Sequence, residues 1–332
     1  MNYIGSKHTL LPFIHETMNA ALKKHNDTFD DSKIIADIFA GTGAVSNYFR
    51  NLGCRVIAND LQYYSYVLLR ATLTTPQAAD YSQILEQLTG LEPVSGFVTN
   101  NYSPSGNEQR QYFTTANASQ CDAIRQAIEN TLDHDSPEYF YAIACLLEAI
   151  DKVANTASVY GAFLKQFKAS ALKSMELKPL SVPQGPIGQV FNTDAADIVQ
   201  RISGDILYLD PPYNERQYSS NYHVLETIAR GDNPQLHGVT GMRDNSVQKS
   251  NWCSKKTVKE SLEQILKNAQ FKYIFLSYNN EGLLSTDDIR ALMTKYGEYE
   301  VYTKEYKRYK ADSKREGQGR TTTEYLHVCV KE

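Results

Sequence analysis

The residues of this chain best suited to chemistry are Asp210-Pro211-Pro212-Tyr213, directly after the apolar run Asp205–Leu209. Two successive prolines donate no backbone hydrogen bond and fix φ, so they stop a strand abruptly. They leave a rigid carbonyl beside a carboxylate, with an aromatic ring one step on. That set suits a planar base bearing an amino group. Asp210 and the Pro211 carbonyl accept its two N–H bonds, and Tyr213 stacks on its face. A turn with a capping Asp and a core Tyr would use the same residue types, but the four-residue pattern at a strand end is far more specific than that.

A second constellation is Asp37-Ile38-Phe39-Ala40-Gly41-Thr42-Gly43, between a strand-like run and a helix-like one. Gly41 and Gly43 allow a sharp turn and let a ligand approach the backbone. Asn59-Asp60 ends the next apolar run, where an acid bonds ribose hydroxyls in sheets of this kind. The third glycine of the dinucleotide-binding pattern is missing: Ser46 stands there, which argues against a nicotinamide oxidoreductase. The opening Asn2-Tyr3-Ile4-Gly5-Ser6-Lys7 would by itself be a frayed terminus. Beside the other two motifs it is a candidate for the carboxylate end of a cofactor, through Lys7 and the loop amides.

The elements that must position these groups alternate. Residues 8–25 read as a helix, Ile34–Phe39 as a buried strand, 44–52 as a helix, Arg55–Asn59 as a strand and 62–73 as a helix. Short β-rich runs alternating with helices indicate a parallel sheet with crossover helices. The rhythm breaks over 76–185, which is polar and irregular, with helices expected near 119–131 and 137–153. It resumes with strands at Gln189–Asn192, Asp205–Leu209 and Tyr273–Ser277. Tyr299–Tyr306 and Thr323–Lys331 flank a basic turn and read as an antiparallel hairpin. The expected organisation is one α/β domain, 1–75 plus 186–332, interrupted by an inserted, mainly helical and irregular domain, 76–185.

With these motifs in this order the sequence resembles the Dam-like DNA adenine-N6 methyltransferases, which include many restriction–modification methylases. The resemblance runs through Tyr3 to Lys7, Phe39 to Gly43, Asp60, Phe191-Asn192-Thr193-Asp194-Ala195, Asp210 to Tyr213, Ser277-Tyr278-Asn279 and Glu324-Tyr325-Leu326. It implies a doubly wound, Rossmann-like methyltransferase sheet with a terminal antiparallel hairpin, and 76–185 as the target-recognition domain. Asn155 to Gly161 resembles a loop at the end of that domain.

The resemblance also implies S-adenosylmethionine as cofactor. Tyr3, Gly5 and Ser6 would lie along it, together with the loop of Asp37, Phe39, Ala40, Gly41, Thr42 and Gly43. Lys7 would pair with its carboxylate, Asp60 beside Asn59 would bind the ribose, and Asp194 beside Ala195 would face its adenine. The reaction implied is methyl transfer to N6 of an adenine extruded from duplex DNA. By the same resemblance Asp210, Pro211, Pro212 and Tyr213 would form the catalytic loop, and duplex DNA would be the partner, with a cognate restriction endonuclease in those members that are not solitary. Cytosine N4 is the alternative target, disfavoured because that family more often carries Ser at position 210. RNA as substrate and a non-catalytic DNA-binding protein on this scaffold are the other readings.

Charge supports a polyanionic partner locally. The chain carries a net charge of −4, yet Lys304, Lys307, Arg308, Lys310, Lys314, Arg315 and Arg320 face only three acids within 304–320. Arg243, Lys249, Lys255, Lys256 and Lys259 form a second set. Charge runs are usually solvated surface, but two of them beside a base-handling motif favour phosphate contact. Tyr306, Tyr309 and Trp252 add aromatics that could stack on bases. Five scattered cysteines without a CxxC pair, and histidines without ligand spacing, argue against zinc and disulfide scaffolds. No apolar run approaches the about 18 residues of a membrane helix and no signal-peptide pattern opens the chain, so a cytoplasmic protein with no metal is expected.

Overall fold

The computed structural model describes Gly5, residues 7–307 and residues 321–331. Tyr3, Ser6, Arg308, Tyr309, Lys310, Lys314, Arg315 and Arg320 lie outside the described residues, as do the side chains of Tyr306 and Lys307.

Among the described residues nine strands form two sheets: β1 (Ile34–Asp37), β2 (Arg55–Asn59), β3 (Gln189–Phe191), β4 (Ser203–Leu209), β5 (Leu236–His237), β6 (Met242–Arg243), β7 (Gln270–Asn279), β8 (Glu298–Lys307) and β9 (Thr321–Val330). Seven lie in the order β3-β2-β1-β4-β7-β9-β8. The first five are parallel, and β9 runs antiparallel to both β7 and β8. This is the expected doubly wound sheet with its terminal hairpin. Ile35, Ala36, Ile206 and Leu207 are each at most 1% exposed, as expected for parallel strands covered on both faces. The strands after β1 in the sequence go to opposite sides of it, so the switch point lies between β1 and β4.

The helices are α1 (Leu11–Lys24), α2 (Ala44–Asn51), α3 (Tyr63–Leu69), α4 (Ser82–Leu88), α5 (Phe97–Tyr102), α6 (Thr115–Thr131), α7 (Pro137–Lys152), α8 (Ala195–Ile198), α9 (Tyr218–Asn221), α10 (His223–Arg230), α11 (Val258–Asn268) and α12 (Thr286–Met293). The chain divides into two compact units. The sheet unit takes in Gly5–Leu61, Pro183–Gln217 and Lys249–Glu332. Ile198, Leu262, Ile265, Leu292 and Met293 of α8, α11 and α12 pack on the face that carries Leu207, Leu209, Ile274 and Leu276. Successive strand residues point to opposite faces, so Ile206, Tyr208 and Phe275 face the other layer.

The helical unit takes in Gln62–Val182 and Tyr218–Gln248. Two segments expected in the α/β domain, 62–75 and 218–248, therefore belong here. Their apolar faces decide it: Tyr64, Val67 and Leu68 of α3, with Val224, Leu225 and Ile228 of α10, share one core with α6 and α7. The stretch 76–182 holds four helices, two more than its polar composition indicated. At its centre is α7, buried nearly all round from Tyr139 to Ile150, the pattern of a core helix. Ser136 caps it by accepting from Tyr139 N at 3.1 Å, with Pro137 in its first turn.

Candidate active site

Parallel strands place their carboxyl ends on one edge of the sheet, so the glycine loop after β1, Asp60 after β2, Asn192 to Asp194 after β3 and Asp210 after β4 share that edge. Antiparallel β9 brings Glu324 to the same edge, paired with Asn279 at the end of β7. The edge lies at the switch point, where sheets of this type bind ligands.

The glycine loop is a tight turn. Ala40 N donates to Asn59 O at 3.0 Å, and Gly43 N donates to Ala40 O at 2.8 Å. Gly41 (φ 54°) and Gly43 (φ 82°) both adopt left-handed backbone, and Gly43 caps α2. A side chain at either position would be strained there. Asp60 Oδ2 accepts from Gly41 N at 2.8 Å, and Asn192 Nδ2 donates to Asp60 O at 2.7 Å.

Three of the residues expected along the cofactor make hydrogen bonds within the chain: Asn59 and Asp194 to backbone, and Asp37 to a side-chain hydroxyl. Asn59 is 1% exposed. It donates to Ile38 O and Thr193 O, both at 3.1 Å, and accepts from Thr193 N at 3.1 Å. It therefore clamps the loops after β1 and β3 together. Asp37 is also buried and accepts from Ser46 Oγ at 2.7 Å. That hydroxyl explains why Ser is useful where the dinucleotide pattern has Gly. Burial, aided by the charges of Asp210 and Asp60, pushes the Asp37 carboxyl up to about 7 despite the Ser46 hydrogen bond. Asp194 caps α8, accepting from Ala196 N at 2.8 Å, and Ala195 is buried.

The largest difference concerns Lys7. Expected at a cofactor carboxylate, it instead sits between two protein carboxylates. Its Nζ is 2.9 Å from Asp210 Oδ1 and 3.2 Å from Glu324 Oε1, with its side chain 7% exposed. A buried ammonium needs counter-charge, and these two acids supply it. Burial pulls the Lys7 ammonium down, but Asp210 and Glu324 outweigh it and hold its pKa well above the ordinary lysine value. Burial is also the largest influence on Asp210. Lys7 opposes it, Glu324 reinforces it, and the carboxyl is pushed up to about 6. Glu324, which the sequence marked only as part of the last strand, further accepts from Ser277 Oγ.

In the loop after β4, Pro211 is buried while Pro212 and Tyr213 are half-buried, and Tyr213 packs against the sheet core. Leu283 N donates to Tyr213 O at 2.9 Å and fixes the end of the loop. Trp252, a candidate for stacking on bases, is only 4% exposed and packs edge-on against Phe39 with centroids 5.1 Å apart. Lys255 and Lys256 are exposed. Arg243 is bound to Asp232 by two hydrogen bonds of 2.9 and 2.6 Å, and Lys259 pairs with Asp288 at 3.0 Å. These two cations are thus already partnered within the chain. Away from this edge, His25, Glu298 and Glu300 come together, with Lys24 between the two acids.

Residues 3–292 match the model of the D12 class N6 adenine-specific DNA methyltransferases. The chain belongs to that family. It is 44% identical to the type II methyltransferase M.NlaIII of Neisseria lactamica, covering 100% of this chain and 99% of that one. It is 39% identical to M.CviAII of Paramecium bursaria Chlorella virus 1, covering 94% and 93%. It is 36% identical to M.FokI of Planomicrobium okeanokoites, covering 95% of this chain and 50% of that longer one. The D12 methyltransferase uses S-adenosylmethionine as methyl donor and adenine N6 in DNA as acceptor. The residues at the sheet edge fit that cofactor in their chemistry: a glycine turn with left-handed backbone, and at the next strand end a half-buried carboxylate, Asp60, of the kind that can accept from hydroxyls. Asp194 stands at the neighbouring strand end.

Proposed function

We propose that this D12 methyltransferase is the modification enzyme of a type II restriction–modification system, acting on one DNA sequence in the cytoplasm beside a cognate endonuclease. Asp210, Pro211, Pro212 and Tyr213 handle the target base in this reading, and the helical unit reads the sequence around it. Similarity to type II methyltransferases over nearly their full length supports the first part. The observation that carries the second is the Asp210 carboxylate, held 2.9 Å from Lys7 at the strand edge that also bears the glycine loop.

The N6 amine is a weak nucleophile because its lone pair is delocalised into the ring. Bound S-adenosylmethionine supplies an electrophilic methyl group. Asp210 and the Pro211 carbonyl accept the two N6 hydrogens and favour a tetrahedral nitrogen whose lone pair is free to attack. Lys7 fixes the Asp210 carboxylate, so alignment and electrostatics supply most of the acceleration. Tyr213 stacks on the adenine, which must leave the duplex for N6 to be reached.

Expression of the wild type and Asp210→Ala in a host without N6-methyladenine, followed by single-molecule sequencing, tests this. One methylated motif with wild type and none with the variant is expected, a loss of a hundredfold or more in kcat. Methylation by the variant would remove Asp210 from the mechanism. Methylation scattered over many sequences would remove the restriction–modification role.

A further inference from the structure

Lys7 has two carboxylate partners, and the chemistry above uses only one. Glu324 is 2% exposed, Lys7 5% and Ser277 1%. Asp210 is the most open of the three ion partners, with 19% of its side chain exposed. The buried cluster therefore holds one ammonium and two carboxylates. A second buried carboxylate is costly.

We propose that Glu324 is a positioning residue for methyl transfer, keeping Lys7 paired while Asp210 takes up the proton that N6 releases. This rests on the reading of Asp210 as the acceptor of the N6 hydrogens. In the transfer the N6 lone pair forms the bond to the methyl carbon. The carbon–sulfur bond breaks, its electron pair stays on sulfur, and the sulfonium becomes a neutral thioether. The positive charge passes to N6, which loses one proton to an Asp210 oxygen and ends as a neutral secondary amine. Protonation removes the charge of Asp210. With Asp210 as its sole partner, the buried Lys7 ammonium would then be stranded. With Glu324 3.2 Å away, the cluster passes from one cation and two anions to a balanced pair.

Glu324 acts in the same direction before the reaction. The groups facing Asp210 are Lys7, Glu324 from β9, Asp37 from the end of β1 and Tyr208 on its own strand. Of these, Lys7 disfavours proton uptake by Asp210, whereas the negative charge of Glu324 favours it. Ser277 donates to the Glu324 oxygen that faces Lys7 and holds it in place.

The test is Glu324→Gln, an isosteric change that keeps a group able to accept from Ser277 while removing the charge. Rates of transfer from radiolabelled S-adenosylmethionine to duplex DNA are measured as a function of pH, with cofactor affinity by calorimetry. The expected result is a loss in kcat on the order of tenfold, an acid limb of kcat/KM moved to lower pH, and unchanged cofactor affinity. Glu324→Asp, whose carboxylate stands farther from Lys7 and Asp210, should fall between wild type and Glu324→Gln on both readouts. A reduced kcat with an unmoved limb would assign Glu324 a merely structural role, and wild-type kcat with a wild-type limb would leave it none. Either result overturns the proposal. If Glu324→Gln does not fold, the same limb in Glu324→Asp decides. Asp210→Ala distinguishes the layers: turnover there removes the acceptor reading itself, whereas an inactive Asp210→Ala with an unmoved limb in Glu324→Gln removes only this inference.

Discussion

The Asp60 carboxylate accepts a hydrogen bond from the Gly41 amide at 2.8 Å and so ties the end of β2 to the glycine turn after β1. One side chain thus shapes the loop and presents the acid suited to ribose hydroxyls. Asp60→Ala should weaken S-adenosylmethionine binding more than turnover at saturation. Loss of a charge-assisted hydrogen bond costs about 1.5–3 kcal/mol, roughly ten- to a hundredfold in affinity. Calorimetric titration giving wild-type affinity would detach Asp60 from the cofactor.

In the proposed reaction Asp210 must be ionised to take up the proton that N6 releases. Burial, opposed by Lys7 and reinforced by Glu324, pushes its carboxyl up to about 6. The kcat/KM for DNA should therefore show an acid limb centred near that value, with activity lost as pH falls through it. A limb remaining at the ordinary carboxylate range would show that Asp210 titrates unperturbed.

Asp37 gives a stability prediction of opposite sense to a salt-bridged acid. Its folded carboxyl is raised to about 7, so the native state binds more protons than the unfolded chain between the ordinary carboxylate range and that value. Stability should fall as pH rises through this window, by up to a few kcal/mol from this residue. Thermal unfolding of Asp37→Asn should show a smaller decline from acidic to alkaline pH than wild type. An equal decline would place the cost elsewhere.

Lys255 and Lys256 are exposed, whereas Arg243 is held by Asp232. Replacing both lysines by Gln should weaken cognate and non-cognate DNA by similar factors. It should also flatten the slope of log affinity against log salt by about 1 for each phosphate that is no longer neutralised. Binding isotherms at several salt concentrations measure this. A double variant with the wild-type slope would return both to ordinary surface.

Exchanging Gln62–Val182 and Tyr218–Gln248 together for the matching segments of a relative with another target should change the methylated sequence and leave the methylated atom at N6. The exchange includes 218–248 because α10 shares a core with α3, α6 and α7. Methylation of the original motif by an active chimera would place sequence reading in the sheet unit.

The amino-acid sequence was enough to give the sheet, the order of its motifs and the family to which they belong. These are written in local signals: β-rich apolar runs, glycines where the backbone turns left-handed, and prolines that stop β4 beside Asp210. Tertiary structure alone decided which residues share a partner. Lys7 meets Asp210 and Glu324 across more than 200 and 300 residues of chain, and no spacing rule encodes such a meeting. It follows from one strand, β9, running antiparallel and delivering Glu324 to the edge where the parallel strands end. The same reason separates Asn59 and Asp60, adjacent in sequence: one side chain is taken up by the backbone of two loops, the other lies half-buried at the edge. Trp252 reads as a stacking aromatic in a basic segment, but its burial against Phe39 was set by packing. The helical unit was least legible, because its buried helices are separated by polar loops and its core draws on segments 62–75 and 218–248, far apart in the chain.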